Sequence, residues 1–355
     1  MKRLLHVLGV VCLVVITVVR FFPNLSYIPI QKWDEQTNLA IITNPLSIEN
    51  FPLLYKDNKP FFEKPPLWYW ATIVTNKYIS NPSVSARTIS ALCGILTLLI
   101  ITSLSWSWWG YIAGMTTWII LITTNHFFII NPAGSFSTHT LWSADLESIH
   151  ILFLTISFAS LTRHTKHSAI IAGISAGLSV LSKSPLGLLP LIIATYAYPA
   201  DRKSRMYILS WIAAIATMLP WYLWMVSQFH LPFLASHFSY HMAARVQLPL
   251  EGHEKTIWYY AQILSERRFF LSWEWLVGSI IVIIQHRLLK DSKIKFSLYM
   301  TIATFIIPTI VSTKLAWYIL PFYPFAALVI GCATTIYLRT LLRTRSYIYK
   351  GLNTY

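Results

Sequence analysis

Two short stretches of this chain set carboxylates and lysines beside aromatic rings: Lys32-Trp33-Asp34-Glu35 and, thirty residues on, Phe61-Phe62-Glu63-Lys64-Pro65-Pro66-Leu67. A carboxylate can take the proton of an attacking hydroxyl, and a lysine can stabilise an anionic leaving group. Lys64 suits the second task. Two prolines restrict the backbone that follows it, and a helix starting at Pro66 would turn its unpaired amides toward an anion. Further candidates lie downstream: Asp145, Lys183 before Ser184-Pro185, His241 and Arg245 in His241-Met242-Ala243-Ala244-Arg245, His253, and Lys314 before Leu315-Ala316-Trp317-Tyr318-Ile319-Leu320-Pro321. Taken singly, each has a plain explanation as a solvated carboxylate or a lysine reaching for lipid headgroups. As a group at one depth they describe a polar cavity at a membrane boundary.

That common depth follows from the elements that carry them. Of the 355 residues 55% are hydrophobic and only 12% charged, and the mean hydropathy is +0.54. Repeated apolar runs of spanning length predict a bundle of transmembrane helices over about 5–23, 84–105, 109–126, 146–162, 167–182, 185–200, 206–227, 271–286, 296–312 and 316–338. The short alternating segments of a membrane β-barrel are absent from the sequence. Residues 66–80 are apolar but short, ring-rich and led by proline, which predicts an interfacial helix rather than a crossing.

Charge bias supports that count. With ten spans, Lys2, Arg3, Arg163, Lys166, Arg202, Lys203, Arg205, Arg287, Lys290, Lys293, Lys295, Arg339, Arg343, Arg345 and Lys350 fall on one side, accompanied only by Asp201 and Asp291. By the positive-inside rule that side is cytoplasmic, with both termini, and the candidate residues face the exterior or periplasm. A full crossing at 66–80 would turn the later basic loops outward. The excess of positive charge (+15) therefore reads as topology and not as nucleic-acid binding. Cys12, Cys93 and Cys332 all lie in apolar spans and form neither a metal spacing nor a disulfide framework. The first span reads as a retained helix rather than a cleaved leader. The whole of 1–355 reads as a single transmembrane domain with two large external loops, about 24–83 and 228–270, and no separate C-terminal soluble domain.

At this point the motifs resemble the integral-membrane glycosyltransferases of the ArnT-like and protein O-mannosyltransferase superfamily. The elements that carry the resemblance are Asp34-Glu35, Phe61 to Trp70, Ala86-Arg87, Ala144-Asp145, Gly177-Leu178 through Pro185, Pro220-Trp221-Tyr222, His241 to Arg245, Gly252-His253, Trp258-Tyr259-Tyr260 and Ser312 to Pro321. They run in order along nearly the whole chain. The resemblance implies an all-α polytopic GT-C-type bundle of about 10–11 transmembrane helices, with juxtamembrane helices in the first external loop. It also implies an inner-membrane enzyme whose donor is a sugar on a polyprenyl phosphate and whose acceptor is lipid A, another glycan or a protein. Asp34 and Glu35 would be the catalytic carboxylates, Asp34 activating the acceptor. Lys64, Arg245, Lys183 and Lys314 would bind the donor phosphate, while Glu63, Asp145, His241, His253 and Tyr318 line the site. No cofactor is implied beyond a divalent metal ion, for which Glu63 and His253 are the expected ligands.

The sequence departs from the family pattern at Asn38-Leu39, where a tyrosine is usual, and at Ser184, where a glycine is usual. His139 and Trp142 stand near the place of an arginine. The competing reading is a transporter or flippase for an amphiphilic solute, which predicts essential polar groups at mid-bilayer and internal pseudo-symmetry. The sequence instead gathers its candidates at one boundary.

Overall fold

Only a helix satisfies its own backbone within lipid without closing into a barrel, and a helix stands at each of the ten expected spans. The structure is a computed structural model describing residues 2–21, 25–26, 28–128, 139–197, 204–265 and 273–352. Asp201, Arg202 and Lys203 of the charge argument lie outside these. After α1 (Lys2–Phe21) the first external loop folds as α2 (Asp34–Ile42), α3 (Pro45–Glu49), two-residue strands β1 (Tyr55–Lys56) and β2 (Lys59–Pro60), and α4 (Leu67–Asn76). The bundle continues with α5 (Pro82–Trp109), α6 (Tyr111–Thr123), α7 (Asn125–Phe128), α8 (Glu147–Leu161), α9 (Lys166–Ser182), α10 (Leu189–Ala197) and α11 (Ser204–Phe233). It ends with α12 (Arg245–Gln247), α13 (Tyr259–Ser265), α14 (Trp273–Gln285), α15 (Ser292–Ile310) and α16 (Phe322–Leu352). By length and composition, four described helical stretches could cross a membrane: Pro82–Trp109, Arg205–Gln247, Ser292–Ile310 and Ala316–Leu342. Four shorter apolar helices accompany them. The chain is an all-α polytopic membrane protein.

Local signals set several boundaries. The Asn81 side chain accepts from Ser83 N and Val84 N with Pro82 in the first turn, and Gly110, at φ 97°, ends the same helix. A capping box of Thr165 and Ser168 starts α9. Gly177 lets α9 lie close on α11, since a Cβ there would stand 2.7 Å from the Ala214 carbonyl. The interfacial segment becomes the short helix α4, with Trp68 and Tyr69 fully buried. The structure moves the ends of two spans: the last helix, expected to end near 338, runs to Leu352. The span expected to end near 227 continues to Phe233, bends at His230 (φ 43°) two residues before Pro232, and runs on as a π-helical stretch over Leu234–Ala244. Proline removes a backbone donor and crowds the preceding turn, so the ladder reorganises instead of ending.

One buried ion pair organises the segments around α2. Glu35 and Arg87 meet at 2.8 Å with side chains at most 1% exposed. Glu35 Oε1 also accepts from Ala144 N at 2.7 Å, and Oε2 from Gln31 N at 2.9 Å. Arg87 donates to the carbonyls of Leu25, Ile28 and Pro29, and its guanidinium lies 4.7 Å from the centroid of the Trp142 ring. The pair thus ties the first loop, α2, α5 and the segment before α8 to one point. Removing one partner strands a charge in an apolar interior, so Arg87→Ala should cost about 3–5 kcal/mol of stability. A planar fork makes these contacts, so Arg87→Lys should recover little of the loss. Thermal unfolding in detergent measures both, and an unchanged midpoint in Arg87→Ala would refute the role.

Candidate functional site

Because Glu35 is locked inward, Asp34 begins α2 at the edge of the wall with its side chain 29% exposed. Adjacent helical residues point about 100° apart, so one carboxylate of the pair is walled in and the other opens outward. Lys64, held on the loop before α4, places Nζ 2.6 Å from Asp34 Oδ1 and is also 29% exposed. Asp34 Oδ2 faces His139 Nε2 at 2.9 Å. The other imidazole nitrogen, Nδ1, contacts Asp145 and lies 3.5 Å from Glu147 Oε1. Glu147 in turn pairs with Lys183. Charges therefore alternate along one line: Lys64, Asp34, His139, then Asp145 with Glu147, and Lys183. The middle of this line is buried, with His139, Asp145 and Glu147 side chains 3–4% exposed, whereas Lys183 at the far end is 25% exposed. Solvent reaches the two ends of the line and not its middle.

Neighbouring charges govern the proton affinities. Burial pushes the Asp34 carboxyl up, but the Lys64 ammonium and His139 outweigh it and hold it well below the usual carboxylate range. Burial depresses the Lys64 amine, and Asp34 more than restores it, so the lysine stays charged. His139 is raised well above its ordinary value, because Asp145 and Glu147 overcome the cost of burying its charge. Asp145 is raised by burial and by the nearby Glu147.

The surrounding shell is hydrogen-bonded or stacked. Asn38 donates to Ala144 O at 3.0 Å and Asp145 Oδ1 at 3.3 Å, and accepts from Tyr69 OH at 2.7 Å. Asp145 Oδ1 also accepts from Leu146 N at 2.7 Å. His139 adopts φ 60°, a conformation that costs a residue other than glycine ~1–3 kcal/mol unless its surroundings impose it. Its ring lies flat on Trp317, with centroids 3.6 Å apart and planes within 9°.

The other expected residues take different positions. Lys183 lies 5.5 Å from the Tyr318 ring centroid, and Arg245 interacts with Tyr318 and donates to Glu251 at 2.8 Å. His241 sits within electrostatic reach of Arg245, His237, Lys64 and Lys56. Three expectations need correction on geometry. Glu35 is sealed against Arg87 and is part of the wall, with no path to a substrate. Lys314 turns its ammonium onto the Val311 carbonyl at 2.8 Å, while its amide binds the His253 carbonyl, so it braces the second loop. Glu63 and His253 do not converge as metal ligands: Glu63 lies 4.0 Å from Lys56, and His253 lies 3.9 Å from Glu251. The group that does converge is Asp34, His139 and Asp145, each offering a ligand atom within 4.8 Å of the others. Carboxylate oxygens and an imidazole suit a divalent ion. Beside them Glu147 Oε2 is buried with no hydrogen-bond partner among the described residues.

The sequence reading gave no role to His139, Glu147, Arg87 or Asn38. Glu147 follows Asp145 by two residues, a spacing that could have drawn notice. In the sequence His139 stands out only as a departure from the arginine usual there, and Arg87 only as part of a motif.

Comparison with known proteins gives these observations a family. The model for dolichyl-phosphate-mannose-protein mannosyltransferase matches residues 49–234, and no curated protein matches by sequence. Among solved structures the chain is similar to ArnT from Cupriavidus metallidurans bound to undecaprenyl phosphate, at 18% identity and a TM-score of 0.78, over 92% of this chain and 60% of that one. It is also similar to the archaeal oligosaccharyltransferase AglB from Archaeoglobus fulgidus in complex with an inhibitory peptide and a dolichol-phosphate, at 15% identity and a TM-score of 0.56, over 99% of this chain and 52% of that one. A third match is the oligosaccharyltransferase of Archaeoglobus fulgidus in complex with zinc and sulfate, at 16% identity and a TM-score of 0.53, over 97% of this chain and 51% of that one. The chain thus spans between half and two thirds of these proteins, and at such identities the likeness is one of fold. With a family model matched over more than half of its length and a GT-C-type bundle around the Asp34 cluster, the chain belongs to the dolichyl-phosphate-mannose-protein mannosyltransferase family.

Proposed function

We propose that the protein transfers a sugar from a polyprenyl phosphate, of the undecaprenyl-phosphate type, to an envelope acceptor such as lipid A, another glycan or a protein. The reaction takes place on the external or periplasmic face of the inner membrane. The observation that carries this reading is the Asp34–Lys64 pair. A base and a phosphate-binding cation stand 2.6 Å apart, both partly open, at the edge of a buried polar cluster.

The mechanism follows from the two ends of that pair. With Lys64 on one oxygen and His139 on the other, Asp34 is too weak a base to hold an acceptor proton. A donor phosphate competes for Lys64, and as the ammonium turns to it, Oδ1 of Asp34 is released and regains basicity. The acceptor hydroxyl then donates a hydrogen bond to that oxygen and attacks the anomeric carbon opposite the phosphate. As the new carbon–oxygen bond forms, the bond from the anomeric carbon to the phosphate oxygen breaks. Its electron pair leaves with the phosphate, and the hydroxyl proton passes to Asp34. The transition state has oxocarbenium character. A phosphate leaves without protonation, so Lys64 supplies charge where a glycosidase would need an acid. Arg245, beside Tyr318 in the second loop, is the further candidate for the phosphate. A single displacement inverts the anomeric configuration. A divalent ion held by Asp34, His139 and Asp145 would add Lewis-acid charge at the same place.

Asp34→Asn should lower turnover about 1,000-fold by removing the base while undecaprenyl phosphate still binds. The assay uses purified protein, defined polyprenyl-phosphate sugars and envelope extract, with the product identified by mass spectrometry. Full activity in Asp34→Asn, or a product of retained configuration, would overturn this assignment. Lys64→Ala should weaken undecaprenyl phosphate binding about 10- to 100-fold, the usual loss for a hydrogen bond from a charged group. Unchanged affinity would remove Lys64 from the phosphate site. Zinc retained after dialysis should be lost in His139→Ala and Asp145→Asn and kept in Glu63→Gln. Retention insensitive to Asp145→Asn would place the ion elsewhere.

A further inference from the structure

The imidazole of His139 is held at both ring nitrogens, Nε2 by Asp34 and Nδ1 by Asp145, with Glu147 3.5 Å from Nδ1. A half-turn about its Cβ–Cγ bond would set ring carbons against both carboxylates. Those carboxylates constrain the ring at its edge and leave its faces free. One face is covered by Trp317, parallel within 9° and with centroids 3.6 Å apart. An aromatic residue that merely anchored the chain at the membrane boundary would have no reason to lie flat on a histidine.

Trp317 is itself firmly placed. It sits in the helical turn Ala316–Ile319. The residues before that turn are stitched to the second external loop. Ser312 N donates to Val246 O, Thr313 N to Arg245 O and Lys314 N to His253 O, each at 3.1 Å. Tyr260 OH donates to Leu315 O at 2.9 Å. The next residue, Tyr318, meets Lys183 at the far end of the charge line. This turn therefore sets two consecutive rings against two of the cluster's nitrogen-bearing side chains, from a backbone that also holds Arg245.

We propose that Trp317 is a positioning residue for the transfer reaction: stacked on His139, it fixes the plane of the imidazole and thereby the orientation of the Asp34 carboxylate toward the acceptor. The inference rests on the reading of Asp34 as the base. It also makes the late turn of the sequence part of the machinery of a carboxylate almost three hundred residues earlier. A flat ring is the property required, so phenylalanine should serve in part and leucine should not.

The test uses the full-length protein in detergent, with a polyprenyl-phosphate sugar that the wild type turns over and with undecaprenyl phosphate as the binding probe. Trp317→Leu should lower kcat about 100-fold, the scale of loss from a small misplacement at a reacting centre, with Trp317→Phe recovering to within about fivefold of wild type. Undecaprenyl phosphate affinity should stay within about threefold in both variants, because the Trp317 ring stacks on His139 and not on the Lys64 ammonium that would meet the phosphate. In a His139→Asn background, Trp317→Leu should cost less than about a further twofold, since residues that act through one another are not additive. Equal losses in both backgrounds, a leucine variant with near-normal kcat, or a phenylalanine variant no better than leucine would overturn the proposal. So would loss of undecaprenyl phosphate binding together with a lowered thermal midpoint in Trp317→Leu, which would make the ring a structural support only. If His139→Asn is too slow to assay, the contrast between phenylalanine and leucine decides. Absence of turnover by the wild type on every polyprenyl-phosphate sugar would overturn the transfer reading itself, which separates the two failures.

Discussion

Glu35 and Arg87 are paired with their side chains at most 1% exposed, and the placement of the segments around α2 depends on that pair. A buried carboxylate is tolerated only when its charge and lone pairs are all met. Here a guanidinium and two backbone amides meet them. The guanidinium has donors to spare and uses them on carbonyls of the loop that leads into α2. One ion pair thus fixes the start of α2 relative to α5 and to the segment before α8. Asp34, the next residue along, gains a defined position at the rim without being buried itself.

From that rim the electrostatics run inward as an alternating series. Opposite charges alternate along it, so most of the six ionisable side chains can stay charged where a lone one would neutralise, whereas burial and the neighbouring Glu147 push Asp145 up. Alternation also has a chemical consequence. In the proposed reaction Asp34 is silent as a base while Lys64 and His139 occupy its two oxygens, and a phosphate that drew Lys64 away would restore it. Binding of an anionic donor and activation of the base would then be a single event.

The second external loop reaches the same cluster by backbone pairing, not by ion pairs. Residues 312–315 run beside the carbonyls of Arg245, Val246 and His253. The turn that follows delivers Trp317 onto His139 and Tyr318 beside Lys183. Lys314, at the start of that segment, braces it from within. A lysine that reads as a phosphate ligand in the linear chain is here a structural strut.

Hydropathy was enough to place ten helices and to leave 66–80 as a short element, because lipid imposes those choices on any chain of this composition. The Asp34 and Lys64 stretches were legible for a related reason: charged residues beside prolines and rings at a membrane edge have few structural uses. What the sequence could not decide was the role of each charge. Asp34 and Glu35 are adjacent and chemically alike, and only the placement of Arg87 and Ala144 makes one part of the wall and leaves the other an open carboxylate. His139 and Glu147 looked unremarkable, since their importance lies in distances to residues more than thirty or a hundred positions away. Glu63, His253 and Lys314 looked functional and pair elsewhere. Side-chain type and hydropathy fix where a residue can reside in a membrane protein, whereas ionic pairing decays over a few ångströms and is settled only when distant segments are packed together.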